Sequence, residues 1–127
     1  MFTENSSFIT LYVKSLELTI NFYKLLRLKP IEQDTNKVVF RIGDYELHFV
    51  SFNSLSEEDY EYNSEGSFGI GALLYIGSRN IEKTHSLIIK ANPLKVTQIK
   101  PNDWESKEFL FEDPNGYKFV VFEDLEF

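Results

Sequence analysis

The chain contains no cysteine and only two histidines, His48 and His85. The first absence excludes disulfides, thiolate zinc sites and a cysteine nucleophile together. The second leaves few imidazole ligands for a metal site. Basic residues are also scarce: 13 Lys plus Arg stand against 20 Asp plus Glu, a net charge of -7. Nucleic-acid binding and docking on an anionic membrane both need a basic surface, so neither partner is expected. No run approaches the roughly 18 apolar residues that span a bilayer. The opening MFTENSSF has no basic segment followed by an apolar core, so we expect no signal peptide and a cytoplasmic protein. No glycine-rich turn opens a helix, which removes the phosphate loop and the dinucleotide fingerprint, and no catalytic-triad pattern stands out.

Aromatic side chains, by contrast, are plentiful. The 127 residues include 12 Phe and 7 Tyr and are 43% hydrophobic, enough to bury the core of one domain spanning 1–127. Phe8 to Val13 (FITLYV) reads as a strand, with Ile9, Leu11 and Val13 sharing a face. Ser15 offers an N-cap and Glu17 a first-turn anion for a helix from about Leu16 to Leu26, striped by Leu16, Ile20, Tyr23 and Leu26. Lys29-Pro30 closes it, because the residue before proline is pushed out of the helical region. LKPIEQ, KVVFRI and YELHFVSF then read as strands, parted by turns at Asp34 to Asn36 and Gly43-Asp44.

Asn53 to Ser67 interrupts this grammar. It carries Glu57, Glu58, Asp59, Glu61 and Glu65 with no basic residue, as a solvated linker or as an electronegative rim to which Tyr60 and Tyr62 add stacking surface. The grammar then returns. FGIGALLYI (Phe68 to Ile76) is a strand; Asn80, or alternatively Ser78, caps a helix whose face holds Ile81, Thr84, His85 and Ile88 and which ends at Asn92-Pro93. KVTQIK, KEFLFE and YKFVVFE follow, separated by Pro101-Asn102-Asp103 and by DPNG. The chain is therefore an α+β fold of two βαβββ modules, module 1 at about 6–52, the acidic linker at about 53–67 and module 2 at about 68–125.

Strand alternation assigns faces. Ile9, Leu11, Leu47, Phe49, Leu74, Ile76, Phe119 and Val121 face the helices. Phe8, Thr10, Tyr12, Glu46, His48, Leu73, Tyr75, Val120 and Phe122 fall on the other, concave face.

Two stretches, LYVKSLELTINFYKLLRLKP and FLFEDPNGYKFVVFE, carry a resemblance to the vicinal oxygen chelate superfamily, which includes glyoxalase I, bleomycin-resistance proteins and extradiol dioxygenases. The first is similar to that family's opening strand, cap and "FY" helix, the second to its closing DP-turn before the last strand. The resemblance covers essentially the whole chain and implies a cupped mixed sheet built from two βαβββ modules. In metal-using members, inward side chains on the first, fourth, fifth and eighth strands hold a divalent cation. Carried over by position, these places are Phe8, Glu46, Leu73 and Val120, of which Glu46 alone can ligate. One carboxylate beside three apolar side chains does not suffice for such a cation. A two-residue slip reaches His48 but brings Thr10, Tyr75 and Phe122 with it. No metal and no other cofactor is therefore expected.

Glu46 and His48, two residues apart on one strand, are either a carboxylate–imidazole pair able to bind a ligand or move a proton, or an ordinary polar pair on a wet sheet. His85 is expected at the surface or an interface, and Arg41 on an exposed face, with carboxylate recognition as its alternative. Trp104 is either a rim residue of a binding site or packing for its turn. Together these features favour a metal-free small-molecule binder of the bleomycin-resistance type, a homodimer with clefts lined by Phe8, Thr10, Tyr12, Glu46, His48, Leu73, Tyr75, Trp104, Val120 and Phe122. Its ligand is expected to be flat and either cationic or neutral, such as a sequestered antibiotic. The alternatives are a metal-dependent lyase, isomerase or dioxygenase using Glu46, which metal analysis distinguishes, and an interaction module whose cleft is filled by side chains.

Overall fold

The structure is a computed structural model that describes residues 1–3, 7–54 and 71–125. Module 1 consists of β1 (Ile9–Val13), α1 (Leu16–Leu25), β2 (Glu32–Gln33), β3 (Lys37–Ile42) and β4 (Tyr45–Ser51). Its sheet runs β1-β4-β3-β2, with β1 parallel to β4 and the other pairs antiparallel. Module 2 consists of β5 (Leu74–Ser78), α2 (Ile81–Lys90), β6 (Lys95–Val96), β7 (Lys100–Pro101), β8 (Lys107–Glu112) and β9 (Lys118–Glu123). Its sheet runs β5-β9-β8-β6, with β7 also on β8, and β5 is parallel to β9. The acidic segment, with Tyr60 and Tyr62, lies outside the described residues apart from Asn53 and Ser54.

Local chemistry sets the helix ends. The Ser15 side chain accepts the Leu18 N–H, and the Asn80 side chain accepts the Lys83 N–H, so each helix has one orphan first-turn donor satisfied. Glu17 and Glu82 sit in the first turns and Lys24 and Lys90 in the last, matching the helix dipole at both ends. Asn92, at φ 59°, then turns the chain out of α2 ahead of Pro93. Ser78 ends β5 and is not the cap.

The helix-facing sides of the two sheets share one core. All eight residues assigned to that side belong to it: Leu47, Phe49, Ile76, Phe119 and Val121 are buried, and Ile9, Leu11 and Leu74 pack against them. Tyr23 of α1 joins the modules, its ring lying 4.8 Å from Phe49 and 6.4 Å from Phe119. Phe22 lies 6.1 Å from Phe111, which stacks on Phe119 at 4.9 Å. Each fully buried ring contributes roughly 1.5–3 kcal/mol relative to exposure. Phe22 and Thr19 are buried too, so the inward face of α1 is wider than the stripe of Leu16, Ile20, Tyr23 and Leu26.

Several strands differ from their expected extent, and LKPIEQ is a strand only at Glu32–Gln33. β1 begins at Ile9, which leaves Phe8 outside it, and β5 begins at Leu74, which leaves Leu73 outside and half exposed. KVTQIK forms two short strands, Lys95–Val96 and Lys100–Pro101, in place of one. Between them His85 Nε2 lies 2.8 Å from the Thr97 carbonyl oxygen, and the Leu110 N–H donates to Thr97 Oγ1 at 2.8 Å. The imidazole also meets Phe109 edge-on at 4.7 Å. His85 thus ties α2 to its own sheet and is not a free surface histidine.

Candidate functional site

The faces of the two sheets turned away from the shared core carry the candidate residues, and these form two groups. On the module 1 sheet, Glu46 and His48 project side by side from β4, with Arg41 opposite Glu46 and Thr10 opposite His48 in register. Glu46 Oε1 lies 2.9 Å from His48 Nε2, and Arg41 Nη2 donates to Glu46 Oε2 at 3.3 Å. The Phe8 ring stacks on the imidazole at 4.0 Å, with an interplanar angle of 17°. Phe8 therefore caps His48 from outside the strand, while itself remaining 56% exposed. Thr10 is exposed, and Tyr12 is half-buried one pair further on, opposite Val50.

On the module 2 sheet, Trp104 stands between Tyr75 and Phe122, with ring centroids 6.0 Å and 6.1 Å away. The turn that presents it is held by Asn102, whose Oδ1 accepts the N–H groups of Trp104 and Ser106 at 2.9 Å and 3.0 Å. Trp104 is 61% exposed and Tyr75 38%, so this is an accessible aromatic surface. Val120 lies beside Tyr75 in register but is buried, a floor residue in place of a lining one. Leu73 departs from the group: it borders a separate open depression with Gly71, Ala72 and Lys118.

The hairpin turn between β3 and β4 connects the two groups. Gly43, at φ 58°, allows the tight turn, and a Cβ there would come within 3.3 Å of Ile76 Cγ2. Asp44 and Tyr45 then border a depression on each side. One, of about 360 Å³, is shared with Tyr75, Gly77, Phe122 and Asp124. The other, of about 240 Å³, is shared with Phe8 and Glu46. Alternation and spacing do not single out Asp44, Tyr45, Gly77 or Asp124 as lining residues. Asp44 was legible only as a turn residue, and Gly77 offers no side chain from which to read a role. A Cβ on Gly77 would lie 3.0 Å from Asp124 Cβ and 3.3 Å from Phe122 Cζ, so its absence lets these two fold over β5.

A buried network holds the sheets in this relation. Asp113, the first residue of DPNG, is fully buried. Its Oδ1 accepts the N–H groups of Asn115 and Tyr117, each at 2.9 Å, and its Oδ2 accepts the Tyr23 hydroxyl at 2.7 Å. Burial raises the Asp113 carboxyl above its usual range, against the opposing pull of these donors. The Tyr23 and Tyr117 hydroxyls are also raised, chiefly by burial and then by the Asp113 charge. Asn115 Nδ2 donates to Thr19 Oγ1 at 3.0 Å, and the Tyr117 hydroxyl donates to the Tyr12 carbonyl at 2.6 Å, so the DPNG turn grips both α1 and β1.

The four positions that the sequence resemblance singles out for a metal are Phe8, Glu46, Leu73 and Val120. Both oxygens of Glu46 already face Arg41 and His48. Among the described residues no group of three or more His, Asp or Glu side chains could hold a metal ion. This donor set does not fit a divalent cation. Also among the described residues, no helix is long and apolar enough to cross a membrane.

No family model and no curated protein matches the chain. Solved structures do. A glyoxalase/bleomycin resistance protein/dioxygenase family enzyme from Burkholderia phytofirmans PsJN superposes with a TM-score of 0.78 at 16% identity, over 92% of this chain and 96% of that one. A protein of unknown function from Agrobacterium tumefaciens str. C58 gives 0.78 at 22% identity, over 98% of both chains. A bleomycin-binding protein, solved in complex with bleomycin, gives 0.68 at 12% identity, over 94% of this chain and 98% of that one. Likeness at these identities shows the fold: with two modules, each a mixed sheet packed on a helix, the chain has the glyoxalase/bleomycin-resistance fold.

Proposed function

We propose that this chain is a metal-free small-molecule-binding protein of the glyoxalase/bleomycin-resistance type, acting in the cytoplasm by holding a flat, cationic or neutral ligand. The observation that carries the reading is the aromatic trio of exposed Tyr75 and Trp104 with half-buried Phe122, of which Tyr75 and Phe122 line a depression of about 360 Å³ together with Asp44 and Asp124. Aromatic faces stack on flat rings and attract cations, and the two carboxylates add to that attraction. The net charge of -7 steers a cation in the same direction. A fold neighbour that binds bleomycin makes sequestration of an antibiotic one form of this function.

The reading includes a homodimer. The module 1 group and the module 2 group are open on their outer faces, and a second copy would supply a facing wall to each. The protein would act without a metal, because Glu46 is the sole oxygen donor at the four relevant positions.

Equilibrium dialysis and quenching of the single tryptophan, against a panel of cationic aromatic compounds that includes bleomycin, test the binding. Saturable quenching supports the reading, and no binding across the panel overturns it. Metal analysis of the purified protein is the companion measurement. Stoichiometric Ni, Zn, Mn or Fe would replace this reading with a lyase, isomerase or dioxygenase using Glu46.

A further inference from the structure

A second pocket lies on the core side of β5 and meets the depression beside the aromatic trio only at Ile76 and Gly77. It opens where the end of α1, β3, β5 and α2 meet, has a volume of about 160 Å³, and is walled by Leu26, Ile42, Leu87 and Phe111 among others. Every contributor except Ser78 and Thr84 is apolar or glycine, and none is charged, although the chain carries a net charge of -7. The pocket is open to solvent on one side, and its volume is close to the roughly 150 Å³ that accepts a benzene-sized guest between apolar walls. An ionised guest would lose its hydration here with no countercharge in return.

The polar edge of the pocket narrows the chemistry further. Ser78 Oγ and Thr84 Oγ1 lie 2.7 Å apart in a hydrogen bond, and Ser78 Oγ also accepts the Asn80 N–H at 3.3 Å. Of the two hydroxyl protons, the mutual bond uses one, so the pair retains one donor and spare lone pairs. These are held at the rim by the end of β5 and the first turn of α2.

The geometry points to a second ligand site in this pocket, for a small neutral ring compound bearing one hydroxyl or carbonyl group, of which phenol is the simplest probe. The volume matches a single ring, the uncharged walls offer no partner to a carboxylate or ammonium, and the Ser78–Thr84 pair favours a guest with a single polar substituent. This pocket shares Ile76 and Gly77 with the depression proposed for the antibiotic-type ligand, and its other walls are its own.

The test is a methyl-resolved NMR titration of the full chain with phenol, benzene and benzoate. Phenol is expected to give saturable shifts at Leu26, Leu87 and Ile88, benzene weaker ones, and benzoate none. Leu87→Phe, which fills the pocket, should weaken phenol binding about tenfold or more. The double variant Ser78→Ala with Thr84→Val, which removes both hydroxyls, should abolish the preference for phenol over benzene. If Leu87→Phe does not fold, the double variant decides. Linear, unsaturable shifts, equal response to benzoate, or a phenol preference that survives the double variant would each overturn the site. Trp104 fluorescence should not respond to phenol, which keeps this outcome separate from failure of the outer-face binding.

Discussion

The Tyr23 hydroxyl donates a 2.7 Å hydrogen bond to Asp113 Oδ2, across 90 residues of chain. Tyr23 belongs to the "FY" helix and Asp113 to the DPNG turn, the two stretches on which the family resemblance rests. They are two halves of one buried contact. The tyrosine ring fills the core between the modules while its hydroxyl meets the carboxylate that organises the last hairpin.

Tyr23→Phe keeps the ring and removes the donor. A buried carboxylate then loses one of its partners, at a cost of about 1–3 kcal/mol. Urea unfolding should show a lower midpoint with an unchanged slope. A change under a few tenths of a kcal/mol would mean that the hydroxyl contributes nothing net.

Stability should depend on pH through Asp113. Burial raises this carboxyl in the native state, so the folded protein holds the proton more tightly than the unfolded chain. The cost of its charged form is absent below the unfolded carboxyl pKa of about 3.9 and complete above the raised native value. Asp113→Asn carries no such cost. The destabilisation it causes should therefore be larger near about pH 3 than near about pH 7, as measured by unfolding at both. A penalty that grows with pH would show the carboxyl to be lowered instead.

Trp104→Ala should separate binding from folding. The side chain is 61% exposed, so stability should change by no more than about 0.5 kcal/mol. Loss of one stacking partner should weaken a flat cationic ligand by about two- to twelvefold in equilibrium dialysis. Unchanged affinity would remove Trp104 from the site.

Gly77→Ala tests the wall without touching an aromatic residue. The new Cβ would sit 3.0 Å from Asp124 Cβ and 3.3 Å from Phe122 Cζ, forcing both outward over the depression. Ligand affinity should fall while Trp104→Phe, which preserves a ring, retains most of it. Equal affinity for wild type and Gly77→Ala would place the ligand elsewhere.

Chelation should have no effect. With Arg41 and His48 on its two oxygens, Glu46 is not free to anchor a cation, so EDTA is expected to leave thermal unfolding and ligand affinity unchanged. A drop in Tm after EDTA, restored by Zn or Ni, would contradict this.

Much of the architecture was legible from short-range pattern. Ser15 and Asn80 as caps, the turns at Gly43 and Gly116, and the bounds of KVVFRI and KEFLFE all follow from residues within a few positions of one another. The candidate site was legible in part. Alternation placed Glu46 and His48 on one face, and the structure adds a 2.9 Å hydrogen bond between them, which two-residue spacing does not dictate. It also placed Val120 on the outer face without indicating that the position is buried there. Asp44, Tyr45 and Asp124 entered the lining through the approach of the β3–β4 turn to β5, a contact between modules that no local pattern contains.

The division has a physical cause. Alternation with period two and helical spacing orient a side chain relative to its own element, and so the order of elements, the eight core positions and the poverty of metal ligands could be read from the residues alone. The distance between elements depends on how two modules pack through one core. That packing brings Tyr23 to Asp113 and sets Gly43 against Ile76. It also distributes the lining over two groups, because each sheet turns its candidate face away from the core that the sheets share.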